Sequence, residues 1–297
     1  MDYEGCSGQL APDWGGREIQ QKSCGAFLAG LANISAEMRL QSAGLRYGLQ
    51  LSVDAGTWMA CDPAQSPCTK IMHAGKNKTV LQHVVDIADR IQIMDYDVTM
   101  DKVLGRAVRF LDYAEAINKP GCITIGLAVA PFPDPKPVWY TLPTETAMLQ
   151  LMAELRPFLE DRPSFAGFAV FDGVMWRDNS AHAPANSSTP FVPAAVWGIG
   201  PDNSIAVNRS LWPQWLAWAK ARRIYKAYVA PHAGTPWLFP VPGEGGSAED
   251  AAAFCEFVGV ADTAGIDIEL YVDGWPGLGR PAWNAYSYDF VHNCTLH

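Results

Sequence analysis

The sequence lacks the features of a nucleic-acid-binding or membrane-spanning protein. Lys and Arg form no cluster, and the formal net charge is −9. Phosphate groups are bound by clustered positive charge, so this balance argues against a nucleic-acid partner. No apolar run approaches the ~20 residues that are needed to cross a bilayer. We therefore expect neither a nucleic-acid partner nor a membrane span.

Motifs of several enzyme classes are absent as well. There is no Gly-x-Gly-x-x-Gly sequence and no phosphate-binding loop, which weakens a nucleotide-binding interpretation. The six histidines are scattered without a His-Glu-x-x-His motif, and no serine lies in a Gly-x-Ser-x-Gly elbow. The sequence therefore predicts no cofactor, no metal site and no serine hydrolase chemistry.

A signal peptide is also absent, although other features indicate secretion. Met1 leads directly into Asp2-Tyr3-Glu4, without a basic start or an apolar segment. We therefore expect the sequence to lack its true beginning. Five glycosylation sequons and seven cysteines favour an extracellular, N-glycosylated protein. The sequon asparagines are Asn33, Asn77, Asn186, Asn208 and Asn293.

The cysteine spacing suggests two disulfides. Cys61 and Cys68 close a short loop that contains prolines, and Cys6 and Cys24 bracket a Gly/Pro-rich loop. The remaining cysteines are Cys122, Cys255 and Cys294. At least one thiol is therefore free or pairs outside the chain. The alternative is a set of buried free cysteines.

Apolar strand-like runs alternate with helical patterns along the chain, which predicts a parallel α/β architecture. We predict a single domain over residues 1–297, with a long irregular loop at 175–209. Residues 210–297 would complete a barrel or begin a neighbouring repeat. Both an open doubly wound sheet and a closed (β/α)8 TIM-like barrel fit this alternation. Acids at strand ends favour the barrel, incomplete or permuted at its N-terminus.

Carboxylates cluster where the predicted strands end. Asp2 and Glu4 alternate on one strand, as do Asp95 and Asp97, so each pair would share a face. Crowding raises one carboxyl pKa of such a pair, which suits glycosidic cleavage. Each acid on its own could instead form a turn or cap a helix. Two further acids that follow predicted strands and would line a cleft are Asp54 and Asp172.

Aromatic side chains are frequent in the segments that follow the predicted strands. Rings in such positions can stack on the apolar faces of sugars. The alternative is that they pack beneath long loops. The rings that we expect to contact substrate are Trp58, Trp139 and Trp176.

Two short motifs resemble those of chitinase-like TIM barrels. Asp2-Tyr-Glu4 resembles the end of their Asp-x-Asp-x-Glu signature, and Met94-Asp-Tyr-Asp97 resembles their Met-x-Tyr-Asp motif. Phe165-Ala-Gly-Phe-Ala169 is similar to a strand of a second group of secreted barrels, so the resemblance covers residues 1–175. It implies that Glu4 is the general acid and that Asp2 orients the N-acetyl group of the substrate. It also implies that Tyr96 and Asp97 assist that group.

The sequence as a whole predicts a secreted glycoside hydrolase-like protein that acts on or binds a polysaccharide. In this hypothesis Glu4 protonates the leaving oxygen, while Asp2, Asp95 and Asp97 tune the charge. The expected partners are carbohydrate and other extracellular protein chains. One alternative is a non-catalytic extracellular structural or carbohydrate-binding glycoprotein. Another is an α/β enzyme with a different carboxylate chemistry.

Overall fold

The computed structural model describes most of the chain in eight segments. These are residues 16–41, 51–56, 70–130, 141–171, 173–181, 192–197, 204–229 and 247–270. Eight α-helices are present in these segments, together with a short 3-10 helix over Arg209–Leu211. The α-helices are α1 Gly16–Gln41, α2 Val80–Ile87, α3 Met100–Ala116, α4 Glu145–Leu159, α5 Gly173–Ala181, α6 Ser204–Val207, α7 Trp212–Ala221 and α8 Ala248–Thr263.

The described strands form two sheets. Two of them, β2 Lys70–His73 and β3 Lys76–Thr79, pair as an antiparallel hairpin. The other seven form a sheet with the order β1-β4-β5-β6-β7-β8-β9. Their bounds are β1 Ser52–Gly56, β4 Arg90–Met94, β5 Ile123–Ala128, β6 Phe165–Phe171, β7 Ala194–Trp197, β8 Ile224–Val229 and β9 Asp267–Leu270.

The predicted closed (β/α)8 barrel is wrong. The sheet has seven strands, its order begins at β1 and ends at β9, and no pairing between these two is present in the described residues. The pairs β1–β4, β6–β7, β7–β8 and β8–β9 are parallel. The fold is therefore α/β, as the alternation predicted. Acids at strand ends do not decide closure, because open parallel sheets also place polar groups there.

The predicted irregular loop at 175–209 is also wrong in part. It contains most of helix α5, strand β7 and helix α6. Strand β7 has only four residues, and its small side chains give no strong strand pattern. The glycines and the proline between Gly5 and Lys22 predict a loop there, but α1 already begins at Gly16.

Local sequence signals set several of the helix starts. Thr79 and Gln82 form a capping box at the start of α2, where each side chain bonds the backbone amide of the other residue. The side chain of Ser247 accepts a hydrogen bond from the amide of Asp250 at the start of α8. The Thr144 hydroxyl likewise accepts from the amide of Ala147 as α4 begins. These short-range bonds explain why the starts of these helices were predictable.

The chain divides into two compact units. The first unit covers Met1–Asp95, Asp101–Ile125 and Phe158–Ala166, and the second covers Tyr96–Met100, Gly126–Pro157 and Gly167–His297. The core of the first unit contains side chains such as Val53, Ile91, Phe110 and Leu111, which are fully buried. The core of the second unit contains Phe168, Val170, Phe254 and Phe257.

Candidate functional site

In the first unit, β1 and β4 present one apolar and one polar face. Register partners in adjacent strands project to the same side, and successive residues alternate between the sides. Val53 and Ala55 of β1 are partners of Ile91 and Ile93 of β4, and all four are fully buried. The opposite face carries polar residues at every second position. Its paired residues are Ser52 with Arg90 and Asp54 with Gln92.

Asp54 and Gln92 form a buried polar pair on that face. Asp54 lies within β1 rather than after it, so the predicted strand end at this residue is wrong. Both side chains are almost fully buried. The Gln92 amide donates to the Ser52 hydroxyl at 3.3 Å, and its oxygen Oε1 has no hydrogen-bond partner among the described residues. A buried acceptor of this kind is costly unless a donor reaches it.

The acids of the Met94–Asp97 motif make local contacts. Strand β4 ends at Met94, so the alternation that predicted a shared face for Asp95 and Asp97 does not extend that far. Asp95 is fully buried and pairs with Arg106 of α3, with Nη1 and Oδ1 2.9 Å apart. The Asp97 carboxylate accepts a hydrogen bond from the Val98 amide at 2.8 Å. This bond forms a local turn just before α3. Both contacts help to fix the connection from β4 to α3.

Tyr96, in the second unit, belongs to an aromatic pair. Its ring stacks on that of Phe171, with centroids 5.6 Å apart and an interplanar angle of 30°. Phe171 is the last residue of β6 and is 40% exposed. A partly exposed stacked pair at the carboxyl end of a parallel strand provides a flat apolar surface for a ligand.

The same face of the second unit carries a lysine with two carboxylates. Lys226 lies in the middle of β8 and is 6% exposed. Its Nζ is 2.8 Å from Asp267 Oδ2 and 2.8 Å from Glu269 Oε2, both on β9. The register places Phe171, Trp197, Tyr228 and Glu269 in one row across four strands. The aromatic pair and the charged group therefore share one side of the sheet.

A bulge in β8 brings a tyrosine onto that side. Ala194 pairs with Ile224 and Ala195 with Lys226, so Tyr225 is the extra residue. Tyr225 packs against Ala169, Ala195 and Tyr228. A Cβ atom built on Gly167 would lie 2.4 Å from the Tyr225 hydroxyl. Small residues on β6 and β7 thus leave room for the tyrosine rings of β8.

Several predicted site residues lie outside the described residues, and their roles stay predictions. They are Asp2, Glu4, Trp58, Trp139 and Asp172. Trp176, predicted to contact substrate, is described. Its indole is fully buried and donates to Glu145 at 2.7 Å. This position gives Trp176 a structural role within the fold.

The sequons and cysteines are described in part. Asn33, Asn77 and Asn208 are exposed, whereas Asn186 and Asn293 lie outside the described residues. Cys24 and Cys255 are each disulfide-bonded, and Cys122 is a buried free cysteine. Four further cysteines lie outside the described residues, namely Cys6, Cys61, Cys68 and Cys294.

Two charged clusters in the first unit connect its elements. Hydrogen bonds to Asp86 and Tyr113 raise the pKa of Lys78, and burial raises the pKa of Tyr113. This cluster ties β3 to α2 and α3. The second cluster is centred on Arg162, which binds Glu115 at 2.8 Å and Asp112 at 2.6 Å. Both clusters join helices to neighbouring segments, which is a structural role.

The sequence contained one signal for the charged group that our predictions did not use. The run from Ile224 to Val229 is apolar apart from Lys226, and a lysine inside a buried strand needs charged partners. Its partners Asp267 and Glu269 alternate on β9, which places both on one face. The exposed position of Phe171 had no comparable signal, because it depends on which helices and loops cover the strand.

No group of three or more potential metal ligands is present among the residues that the structure describes. Within the same part of the chain, the helices are too short or too polar for any of them to cross a membrane. Comparisons of the chain with protein-family models, with curated proteins and with solved structures found no match.

Proposed function

We propose that this protein binds a glycan on the face of the sheet that carries Phe171 and Glu269 in the second unit. The observation that carries the proposal is the stacked pair of Phe171 and Tyr96, which shares a sheet face with Glu269 and Lys226. Sugars combine apolar ring faces with hydroxyl groups. A surface that combines an exposed ring with charged hydrogen-bonding groups suits both.

The spacing along the sheet supports a ligand longer than one sugar. Phe171 and Tyr228 lie two strands apart in the same register row. Neighbouring strands are about 4.8 Å apart, so these two positions are separated by about 10 Å. That distance is comparable to the length of a disaccharide. A glycan lying across the strands would contact Phe171 at one end and the more exposed carboxylates of Asp267 and Glu269 at the other.

The charged group around Lys226 is better suited to binding a glycan than to hydrolysing it. Asp267 Oδ2 and Glu269 Oε2 lie at most twice 2.8 Å apart, about 5.6 Å, because each contacts Lys226 Nζ. Retaining glycosidases separate their carboxyl groups by about 5 Å. However, both of these oxygens are already in ion pairs with Lys226, so a leaving oxygen would have to displace the lysine to reach them. The pair can accept hydrogen bonds from sugar hydroxyls.

Hydrolysis of the bound glycan is the second candidate function. Tyr96 and Asp97 follow the carboxyl end of β4 directly, as in the motif that they resemble. Glu4 would be the general acid. Release of reducing ends by the wild type and its loss in Glu4→Gln would support this candidate. We further propose that the protein is extracellular and glycosylated at exposed asparagines such as Asn33 and Asn77.

Binding can be tested by affinity electrophoresis in gels that contain chitin derivatives, β-glucans, xylan or mannan. We expect at least one of these polysaccharides to retard the protein. Phe171→Ala should weaken the retarding interaction about threefold to tenfold, since an aromatic contact is worth about 0.5–1.5 kcal/mol.

The matched control is Phe158→Ala. Phe158 is 53% exposed on α4 and lies outside the register row of Phe171. Its truncation should leave retardation unchanged. The proposal is wrong if none of the polysaccharides retards the wild type, or if the two alanine variants behave alike.

A further inference from the structure

A cavity of about 490 Å³ lies in the second unit, and its described lining residues differ from those of the proposed glycan surface. Its walls come from α5, α6, the 3-10 helix and α7. The polar and aromatic side chains that line it are Arg177, Ser180, Gln214, Trp215, Trp218 and Arg222. Cavities of about 300–1,000 Å³ are the usual size for small-molecule sites.

The charged side chains that are described in the lining of this cavity are both positive. Arg177 and Arg222 both line it, and none of the lining residues within the described part of the chain is acidic. The chain as a whole has a net charge of −9, so two arginines and no acid among the described lining residues set this cavity apart. Arg177 makes no ion pair or hydrogen bond with the residues that the structure describes. Its guanidinium can therefore pair with an anion from solution.

Arg222 is held in position by a carboxylate, a hydroxyl group and an indole. Its Nε donates to Glu145 Oε1 at 2.8 Å and to the Ser180 hydroxyl at 2.9 Å. Its Cζ lies 5.4 Å from the ring centre of Trp218. A guanidinium fixed by a buried carboxylate and an indole loses little conformational entropy when a ligand binds.

The indoles supply an apolar wall for a ring. Trp218 contacts Trp176 edge to face at 5.6 Å and Trp215 at 6.5 Å, so its orientation is fixed. Trp218 and Trp215 both line the cavity. An apolar ring beside an indole and an anion beside a guanidinium are the two contacts that this cavity can provide together.

We propose that this cavity binds a small organic anion in which a carboxylate is attached to a ring. Two sources share this chemistry, namely a sugar acid and an aromatic carboxylate. The carboxylate binds Arg177 and Arg222, and the ring lies against Trp218. This proposal does not depend on glycan binding at the sheet.

The experiment measures binding of four probes to the full chain by isothermal titration calorimetry. The anions are glucuronate and benzoate, and their neutral counterparts are glucose and benzyl alcohol. We expect one anion to bind at least tenfold more tightly than its neutral counterpart, and this affinity to fall with added salt. Preference for glucuronate identifies the sugar-acid source, and preference for benzoate identifies the aromatic source.

Two matched variants assign the binding to this cavity. Arg177→Gln should weaken the anion about tenfold, since a charge-assisted hydrogen bond is lost. Its urea unfolding midpoint should stay unchanged, because Arg177 has no described partner to lose. Lys220→Gln removes the same charge from an exposed position on α7 that does not line the cavity. It should leave the affinity unchanged.

Three results would overturn the proposal. Neither anion binds at millimolar concentration, the neutral counterparts bind as tightly as the anions, or Lys220→Gln weakens binding as much as Arg177→Gln. The first two exclude a ring carboxylate as the ligand. The third means that any nearby positive charge affects the anion equally and that the cavity holds no defined site.

Discussion

Removal of the Glu145 side chain should strongly destabilise the second unit. Its Oε1 accepts three hydrogen bonds, from Trp176 Nε1 at 2.7 Å, from the Ser180 hydroxyl at 2.9 Å and from Arg222 Nε at 2.8 Å. These bonds join the start of α4 to α5 and to the end of α7. The Glu145 side chain is 5% exposed and that of Arg222 is 15% exposed, so water replaces little of what is lost.

The size of the effect follows from the partners that are left behind. Removing one partner of a buried ion pair costs about 3–5 kcal/mol of stability, because the other charge then stays buried without a partner. Arg222 keeps some contact with water, which favours the lower end of this range. The fully buried Trp176 loses its acceptor at a cost of about 1–3 kcal/mol. Since these costs overlap, we expect Glu145→Ala to lose about 3–5 kcal/mol.

Glu145→Gln should be much milder. The amide oxygen can still accept hydrogen bonds at the position of Oε1, so the main loss is the negative charge opposite Arg222. We expect a loss of about 1–2 kcal/mol, in the range of the difference between charged and neutral hydrogen bonds. The double variant Glu145→Leu with Arg222→Met should recover part of the alanine loss, because neither charge is then left unpaired.

The assay is urea unfolding under non-reducing conditions, followed by tryptophan fluorescence and far-UV circular dichroism. The control is Glu256→Gln. Glu256 pairs with Arg209 at the surface, with side chains 52% and 49% exposed. Loss of that pair should cost about 0.5 kcal/mol or less. If Glu145→Ala falls within about 1 kcal/mol of this control, the buried hydrogen bonds do not stabilise the unit and our reasoning is refuted.

Two further predictions concern a glycine and an acid. Gly167→Ala should cost about 2 kcal/mol in urea unfolding, because its φ of +128° suits glycine alone and its new Cβ would meet the Tyr225 hydroxyl. Adding Tyr225→Phe should recover only the stability that is lost to the clash with the hydroxyl. An unchanged urea midpoint for Gly167→Ala would contradict the strain argument. The hydrogen bond from Arg162 holds the pKa of Glu115 below its ordinary value of 4.5. The stabilisation from Glu115 is therefore complete above that value and is lost as the pH falls through the lower pKa of the folded state. Between about pH 5 and pH 3, Glu115→Gln should lose less stability than the wild type, and parallel profiles would exclude this linkage.

Local patterns predicted many elements correctly. The apolar runs Phe165–Phe171 and Ile224–Val229 each predict a strand, and the structure has strands with these bounds. Thr79 and Ser247 each predict a helix start, and α2 and α8 begin directly after them. These features depend on contacts within a few residues, which the sequence displays directly.

Elements without a local signal were missed. The only apolar residues in the hairpin of β2 and β3 are Ile71 and Met72, which are adjacent, so no apolar alternation identified it. Strand β7 consists largely of alanine and valine and is held by parallel pairing with β6 and β8. Its pairing partners lie far from it in the chain, so only the sheet as a whole shows that it is a strand.

The sequence by itself determined the α/β class, the starts of several helices and the concentration of acids near strand ends. The tertiary structure decided what those acids contact. Asp95 forms an ion pair with Arg106, Asp97 forms a turn, and Asp267 and Glu269 both form ion pairs with Lys226. The physical reason is that secondary structure follows from short-range periodicity and capping. The partner of a buried charge, in contrast, depends on which distant segments the fold brings within about 3 Å.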